Sequence, residues 1–404
     1  MISRTIRSLS SLAIALALTG GSAAGQSSIK IGVMSDMTGP YADFSGPGSL
    51  EAVKMAVEDF RALNPAISID VVSADPQNKP DNAATIARRW FDTEKVDLII
   101  DVPTSGVALA VASIAKEKNK AMIVTTAGTS DITGKACTPN TLHWVWDTWS
   151  NSHGTAEAVV KSGGKSWYFL AADYTFGTTM EREASDVVRA TGGTILGSTR
   201  HPLNTTDFSS FLLQAQNSKA QIIGLANGGT DTINAIKTAG EFGIVAGGQK
   251  LVGLVVFIND IHALGLKLSN GLQLTTAFYW DLNDKTRAFG ERFAKRMGGK
   301  MPSMSQAGSY SATLAYLNAV AKSGNANDGA AVISTLRAAG VFEDPLFGKT
   351  SVRADGRVIH DMYLVEVKKP DESKKPYDYY KVVSVIPGDR AFRPLSEGAC
   401  PLVK

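Results

Sequence analysis

Hydroxyl-bearing residues follow two of the apolar segments that are typical of buried strands. The segment 96–102 (VDLIIDV) runs into Pro103-Thr104-Ser105-Gly106, and the segment 121–124 (AMIV) runs into the small and hydroxyl residues of 125–130. In open α/β sheets ligands bind beyond the carboxyl ends of the strands. Hydroxyls and free backbone N–H groups at a helix start form an uncharged anion site. These segments therefore predict a carboxylate site, and the alternative is that each hydroxyl only caps a helix.

A search for catalytic chemistry finds no complete motif. Gly164-Lys165-Ser166 matches the end of a phosphate-binding loop, but Val159 occupies the position of its first glycine. Gly46-Pro47-Gly48 lacks the third glycine of a dinucleotide-binding turn. The five histidines are scattered and are expected to be structural or on the surface: His143, His153, His201, His262 and His360. We therefore expect that the protein is not an enzyme and that it has no metal site and no cofactor.

The elements that must position the hydroxyl segments alternate between strands and helices. In the first half the expected strands are 29–34, 67–72, 96–102 and 121–124, and the helices between them are 50–60, 81–95 and 105–119. In the second unit the strands are 166–171, 195–200, 221–226 and 251–257, and the helices are near 153–161, 178–190, 209–217 and 231–240. After a strand at 272–278 come helices 284–297, 305–322 and 328–338 and strands 362–367 and 380–386. This alternation predicts two α/β units with mostly parallel sheets covered on both faces.

Length and charge agree with an ordinary two-domain protein. The chain has 404 residues, 44% of them hydrophobic and 20% charged, which is too long for one core of about 100–200 residues. The formal net charge is +3, and without Arg4 and Arg7 it is +1, since 41 − 2 = 39 basic residues face 38 acidic ones. This balance argues against a nucleic-acid-binding protein, which needs a basic face.

The first 25 residues have the layout of a secretory signal peptide. Arg4 and Arg7 precede the apolar run 9–18, and small residues fill 20–25. The apolar run spans only about 15 Å as a helix, half a bilayer core. We expect cleavage after Ala24 or Gly25 and a periplasmic, soluble protein.

Export makes the two cysteines informative. Cys137 and Cys400 would form one disulfide in an oxidising compartment, and it would tie the C-terminal tail to the first half of the chain. The alternative is two unrelated thiols. Neither cysteine lies near the cleavage point, so we expect no lipid anchor.

An ordered set of motifs extends over about residues 29–390. In chain order they are Ile31-Gly32-Val33-Met34-Ser35-Asp36-Met37-Thr38-Gly39-Pro40 followed by Gly48, then Thr104-Ser105-Gly106, Thr126-Ala127-Gly128-Thr129, Asp173-Tyr174-Thr175-Phe176-Gly177 and Asp207-Phe208-Ser209. Together they resemble the periplasmic substrate-binding proteins of ABC transporters, in the class for branched-chain amino acids and hydrophobic compounds.

The resemblance implies a type I periplasmic binding protein fold, with two doubly wound α/β lobes and three hinge crossings near 142–148, 274–280 and 341–348. The expected parts are a signal peptide at 1–25, lobe 1 at 26–145 plus 278–344, lobe 2 at 146–277 plus 345–390, and a C-terminal tail at 391–404. It also implies a ligand clamped between the lobes.

The resemblance also assigns candidate ligand-binding residues. In lobe 1, Ser105 and Thr129 would hold a ligand carboxylate with the backbone of Ala127, and Thr104 and Gly128 belong to the same two loops. From lobe 2, Phe176 and Tyr174 would close on the ligand. The remaining candidates for the pocket lining are Tyr41, Phe44, Trp149, Asn227 and Tyr310. For Trp149 and Tyr310 packing in the core is an equal alternative.

One departure from the family pattern concerns the ligand. Amino-acid binders of this class have an acidic residue just after the strand that corresponds to 251–257, where it binds the ligand ammonium, whereas here no acid precedes Asp260. A buried ammonium without an anion is costly. We therefore expect a carboxylate without an α-amino group, an aromatic or other hydrophobic organic acid. Asp231 is a possible substitute for the missing acid, so a branched-chain or other amino acid or amide remains the alternative.

These features predict a non-catalytic binding protein. We expect a monomer that captures a small carboxylate by hinged closure, works with ABC permease subunits in the inner membrane, and binds no nucleic acid. The alternatives are an exported hydrolase and a ligand sensor that signals to a receptor.

Overall fold

The structure is a computed structural model that describes Met1 and residues 28–403. The expected signal peptide, residues 1–25, lies outside the described residues apart from Met1. Within 28–403 no helix combines the length and hydrophobicity that are needed to cross a bilayer.

The first lobe contains a five-stranded parallel sheet. Its strands are β1 (Ser28–Met34), β2 (Ser68–Ala74), β3 (Leu98–Asp101), β4 (Ala121–Val124) and β5 (Thr141–His143), in the order β2-β1-β3-β4-β5. The helices that connect them are α1 (Gly46–Leu63), α2 (Pro80–Asp92) and α3 (Ser105–Glu117). Every residue of β3 and β4 is buried, as expected for strands with helices on both faces.

The second lobe repeats this arrangement with four parallel strands. They are β6 (Ser166–Ala172), β7 (Thr194–His201), β8 (Ile222–Ala226) and β9 (Lys250–Gly253), in the order β7-β6-β8-β9. The helices are α4 (Thr148–Lys161), α5 (Thr175–Ala190), α6 (Ser209–Asn217), α7 (Thr230–Glu241), α8 (Ile258–Leu264) and α9 (Leu266–Ser269). In both lobes the strand order reverses beside the first strand, which is the topological switch point where α/β sheets bind ligands.

The rest of the chain returns to the first lobe and then leaves it again. After β10 (Gln273–Thr276) come three helices, α10 (Asp284–Arg296), α11 (Met304–Ser323) and α12 (Gly329–Ala338). Helix α11 packs on α1, and α12 packs on β4. The last elements are β11 (Phe342–Asp344), β12 (Gly348–Val352), β13 (Val358–Ile359), β14 (Met362–Val367), β15 (Tyr380–Ile386) and α13 (Gly388–Ala391). Strands β10, β14 and β15 form an antiparallel sheet beside the second lobe.

Two details differ from the sequence-based expectation. The third crossing between the lobes, expected at 341–348, lies near 359–362. Before it, β12 contacts α12 and Arg357 pairs with His143, both in the first lobe. After it, β14 pairs with β10 beside the second lobe. The apolar run 251–257 is strand only to Gly253, and beyond it Val255 and Phe257 line the cavity, where Phe257 stacks on Phe44. The predicted fold of two doubly wound α/β lobes is confirmed.

The two cysteines are joined in the expected disulfide. Cys137 and Cys400 are bonded, with their Cα atoms 5.6 Å apart. Arg393, in the tail, adds a hydrogen bond to the carbonyl of Ser130 at 2.9 Å. The tail is therefore attached to the loop that follows β4.

Candidate functional site

A cavity lies where the carboxyl ends of both parallel sheets face each other. It has about 270 Å³ of space between atoms, part of which is open to solvent. The first lobe contributes Tyr41, Phe44, Pro103, Ser105, Thr126 and Gly128, the second lobe contributes Tyr174, Phe176, Gly228, Val255 and Phe257, and Trp146 comes from the connection between β5 and α4. Six of these twelve residues are aromatic, so the cavity suits a small, largely apolar ligand.

Hydrogen-bond donors are concentrated beside α3. The Ser105 Oγ accepts a hydrogen bond from the N–H of Thr129 at 3.1 Å, which leaves the Ser105 hydroxyl hydrogen free to donate into the cavity. Gly128, which also lines the cavity, has a backbone N–H without an acceptor among the described residues. Thr104 precedes the helix and makes no side-chain cap. The first N–H groups of α3 are therefore not capped by this side chain, and the positive end of the helix dipole favours an anion there. This end of the cavity can hold an anion without a counter-cation.

A buried carboxylate holds these loops in position. The Asp101 carboxylate accepts hydrogen bonds from the hydroxyls of Ser35, Ser45, Thr125 and Thr126, and the bonds from Ser45 and Thr125 measure 2.8 and 3.0 Å. Burial raises the pKa of Asp101, and the hydroxyl bonds oppose that rise. This single side chain therefore connects the ends of β1, β3 and β4 with the start of α1.

The backbone at the end of β3 is strained. Asp101 has a φ of 81° and the β-branched Val102 a φ of 64°. Such left-handed conformations cost on the order of 1–3 kcal/mol each and persist where the surroundings enforce them. The bend directs the following residues, Pro103 and Ser105, to the cavity.

Aromatic contacts close the cavity between the lobes. The hydroxyls of Tyr41 and Tyr174 are 2.7 Å apart, and the rings of Phe44 and Phe257 stack with centroids 3.8 Å apart. Burial raises the pKa of Tyr41 and of Tyr174, so both phenols are neutral. Both contacts join the first lobe to the second, and the structure therefore represents a closed form.

Gly128 allows a close approach of rings to the cavity wall. A Cβ atom at this position would lie 2.5 Å from Cη2 of Trp146 and 3.2 Å from Cδ2 of Phe176. Trp146 is in turn edge-on to Phe176 and to Phe257, with centroids 6.2 and 6.0 Å apart. Only glycine leaves room for this packing.

Six of the twelve residues that the sequence analysis singled out line the cavity: Tyr41, Phe44, Ser105, Gly128, Tyr174 and Phe176. Three others lie in the same loops but point elsewhere. The N–H of Ala127 donates to the carbonyl of Val102 at 3.0 Å, and its carbonyl contacts His143 Nε2 at 2.8 Å. The Thr129 hydroxyl accepts from the N–H of Asp131 at 3.4 Å, and Thr104 is buried outside the lining. In this closed form neither polar group of the Ala127 backbone is free.

The other three lie away from the cavity. The Trp149 ring stacks on His153 of the same helix, 3.6 Å between centroids. Asn227 is hydrogen-bonded to His201 and to Thr232. The Tyr310 hydroxyl donates to Asp59 at 2.6 Å. Asn227 and Tyr310 therefore connect elements of their own lobes, whereas Trp149 packs within its own helix.

The structure adds lining residues that sequence reasoning did not select: Pro103, Thr126, Trp146, Gly228, Val255 and Phe257. All six follow the ends of strands β3, β4, β5, β8 and β9 within four residues. Trp146 follows β5, which the sequence analysis did not predict as a strand.

Among the described residues, no charged side chain lines the cavity. Val255 stands just after β9, where amino-acid binders would need an acid. Asp231 is buried but outside the lining, and its Oδ2 accepts from the N–H of Asn204 at 3.1 Å. Burial raises the pKa of Asp231 to about 7. Within 28–403 no group of three or more His, Cys, Asp or Glu residues is placed to bind a metal ion.

Comparison with known proteins gives a consistent result. Residues 28–374 match the sequence profile of a family described as periplasmic binding protein. A crystal structure of a periplasmic binding protein from Burkholderia mallei is 50% identical, with a TM-score of 0.90, and covers 94% of this chain and 100% of its own. A branched chain amino acid ABC transporter periplasmic ligand-binding protein from Burkholderia xenovorans LB400 is 40% identical, with a TM-score of 0.81 and coverage of 93% and 100%.

A more distant structure shares the fold and has a ligand. It is an ABC transporter solute binding protein from R. palustris in complex with 4-hydroxybenzoate, 23% identical, with a TM-score of 0.78, and it covers 89% of this chain and 97% of its own.

Proposed function

Because this chain belongs to the periplasmic binding protein family, we propose that it is the solute-binding subunit of an ABC importer and that its ligand is a small carboxylate without an α-amino group, an aromatic or other hydrophobic acid. The observation that carries the proposal is the distribution of polar groups in the cavity. Donors lie beside α3, rings surround the remaining space, and no charged side chain lines it in the described chain.

A carboxylate matches this distribution in sign. The Ser105 hydroxyl and the unpaired Gly128 N–H belong to two residues that line the cavity, and each hydrogen bond to a charged acceptor contributes about 1.5–3 kcal/mol. The dipole of α3 acts in the same direction. An ammonium group in the same space would meet Val255 instead of an anion, and an isolated buried charge is strongly unfavourable.

Size does not choose between acids and amino acids. In the closed form only about 20 Å³ of the cavity is open to the centre of a water-sized sphere, roughly the room that one water needs, so a ligand as large as benzoate or leucine requires the lining to move apart. The choice between them therefore depends on charge and on the aromatic lining.

Capture requires the lobes to separate. The contacts of Tyr41 with Tyr174 and of Phe44 with Phe257 cover the cavity in the closed form, so the ligand enters an open form and closure by hinge rotation buries it. The closed form is what the permease subunits would recognise, and import would be driven by their partner ATPases. The same proposal includes an export signal at 1–25, a periplasmic location and a monomeric state. The protein would bind its ligand without converting it.

The second candidate ligand is a branched-chain or other amino acid. It is favoured by the description of the relative from Burkholderia xenovorans and by Asp231, whose Oδ1 is buried and has no hydrogen-bond partner in the described chain. A shift of α7 during binding would be needed to bring this oxygen into the lining.

The test is a calorimetric titration of protein that has been unfolded and refolded to remove any bound ligand. Benzoate, 4-hydroxybenzoate and cinnamate are compared with leucine, and benzamide and benzylamine serve as neutral and cationic controls of similar shape. We expect a dissociation constant in the micromolar range or below for at least one acid and none measurable for benzylamine. Tight binding of leucine without binding of any of the three acids would refute the acid assignment and support the second candidate.

A further inference from the structure

The indole N–H of Trp146 has no acceptor in the described chain. Trp146 is 3% exposed, and its Nε1 is buried without a hydrogen-bond partner. Three other tryptophans bond their N–H groups within the protein, each at 2.8 Å: Trp144 to Ser311 Oγ, Trp167 to the carbonyl of Gly164, and Trp280 to the carbonyl of Tyr377. Buried indole N–H groups normally find a partner, and an unpaired one costs about 1–3 kcal/mol.

The unpaired indole is part of the cavity wall. Trp146 lines the cavity, and the Cη2–Cζ3 edge of its six-membered ring lies against Gly128, with Nε1 on the other side of the indole. The next residue, Thr129, donates its N–H to the Ser105 Oγ. The Trp146 ring and the Ser105 hydroxyl therefore contact the same loop, and the indole N–H lies on the side of the ring away from Gly128.

The backbone of Trp146 is held firmly. Its carbonyl accepts a hydrogen bond from the fully buried Arg357 at 3.2 Å, and Arg357 also pairs with Asp147 at 3.3 Å. The ring is packed edge-on against Phe176 and Phe257. In the closed form the protein itself therefore sets the orientation of the indole, which reduces the entropy cost of a contact.

We propose that the indole N–H of Trp146 is a direct donor to the carboxylate of the bound ligand, on the opposite side of that group from the Ser105 hydroxyl and the Gly128 N–H. This inference rests on the proposed function, since it requires a carboxylate in this cavity. It makes Trp146 a specificity-determining residue, because the site then offers donors on several sides of one small group. A ligand amide has one acceptor oxygen instead of two, and its NH2, itself a donor, would face one of these donors.

The test compares the wild-type protein with Trp146→Phe, which keeps an aromatic ring and removes the N–H. The matched control is Trp144→Phe, which removes an N–H that is bonded to Ser311 outside the cavity. Benzoate is the first ligand titrated, and if it does not bind, the tightest acid of the set replaces it. We expect about 10- to 150-fold weaker binding for Trp146→Phe and a change of less than about twofold for Trp144→Phe. The loss for benzamide should be smaller than the loss for the acid.

A second readout observes the N–H itself. The six tryptophans give six indole signals in a ¹⁵N NMR spectrum, and the Trp146 signal is the one missing from Trp146→Phe. On saturation with the acid this signal should move downfield and its exchange with water should slow. If Trp146→Phe does not fold, sequential assignment identifies the signal in the wild-type protein, and the shift alone decides.

The outcomes separate the two proposals. Wild-type protein that binds an acid, with an unchanged affinity in Trp146→Phe and an unmoved indole signal, would overturn the role of Trp146 and leave the proposed function standing. Wild-type protein that binds none of the acids would overturn both.

Discussion

Replacing Ser105 by alanine removes one hydroxyl that serves two partners. Its oxygen accepts the N–H of Thr129 at 3.1 Å, and its hydrogen is free to donate into the cavity. Alanine is a good helix former, so α3 should still begin at this residue. The substitution therefore affects the hydrogen bonds and leaves the surrounding fold in place.

The two losses have different sizes and different readouts. The ligand loses one charge-assisted hydrogen bond of about 1.5–3 kcal/mol, which is about a 10- to 150-fold increase in the dissociation constant of the acid. Separately, the Thr129 N–H is left unpaired in a buried site, which lowers the free energy of unfolding by about 1–3 kcal/mol. Calorimetric titration measures the first effect, and urea unfolding of the ligand-free protein measures the second.

Thr104→Ala is the matched control for Ser105→Ala. Thr104 is the adjacent buried hydroxyl, but it makes no cap for α3 and does not line the cavity, so its removal should change the affinity by less than about twofold. If Ser105→Ala bound the acid as tightly as the wild-type protein and only its stability fell, the hydroxyl would serve the loop alone. The carboxylate would then have to lie elsewhere.

Four further predictions test other parts of the structure. Gly128→Ala places a methyl group 2.5 Å from the indole ring on the facing wall, so calorimetry should show about 5- to 150-fold weaker binding of the acid; an unchanged affinity would mean that the ligand binds elsewhere. Val255→Glu adds a carboxylate to the lining, so titrations should show loss of the acid and a gain for leucine, and a variant that still prefers the acid would contradict the charge argument. Serine at both Cys137 and Cys400 should lower the free energy of unfolding in urea by about 2–5 kcal/mol, whereas coincident unfolding curves would show that the bridge adds no stability. Asp231 has a pKa of about 7 in the folded state, whereas the unfolded chain releases this proton near pH 4. The free energy of unfolding should therefore fall as the pH rises from about 4 to 7. Asp231→Asn should flatten that part of the plot of melting temperature against pH, and a plot parallel to that of the wild type would contradict this prediction.

The amino-acid sequence by itself determined the architecture. Hydrophobic periodicity is a local property, so the alternation of strands and helices was sufficient to predict two doubly wound α/β lobes, which the strand orders confirm. The hydroxyl segments after β3 and β4 could also be located, because strands in parallel sheets present their carboxyl ends at one edge. With only two cysteines in the chain, there was one possible internal disulfide, and it is formed.

Only the tertiary structure decided which residues of those segments face the cavity. Ser105 and Gly128 do so while Thr104 and Thr129 do not, because the left-handed bend at Asp101 and the bonds of its carboxylate set the direction of each loop. Trp146 and Phe257 enter the lining because they pack against residues far away in the sequence. Such contacts depend on how the two sheets are placed against each other, and the spacing of residues along the chain does not determine that placement.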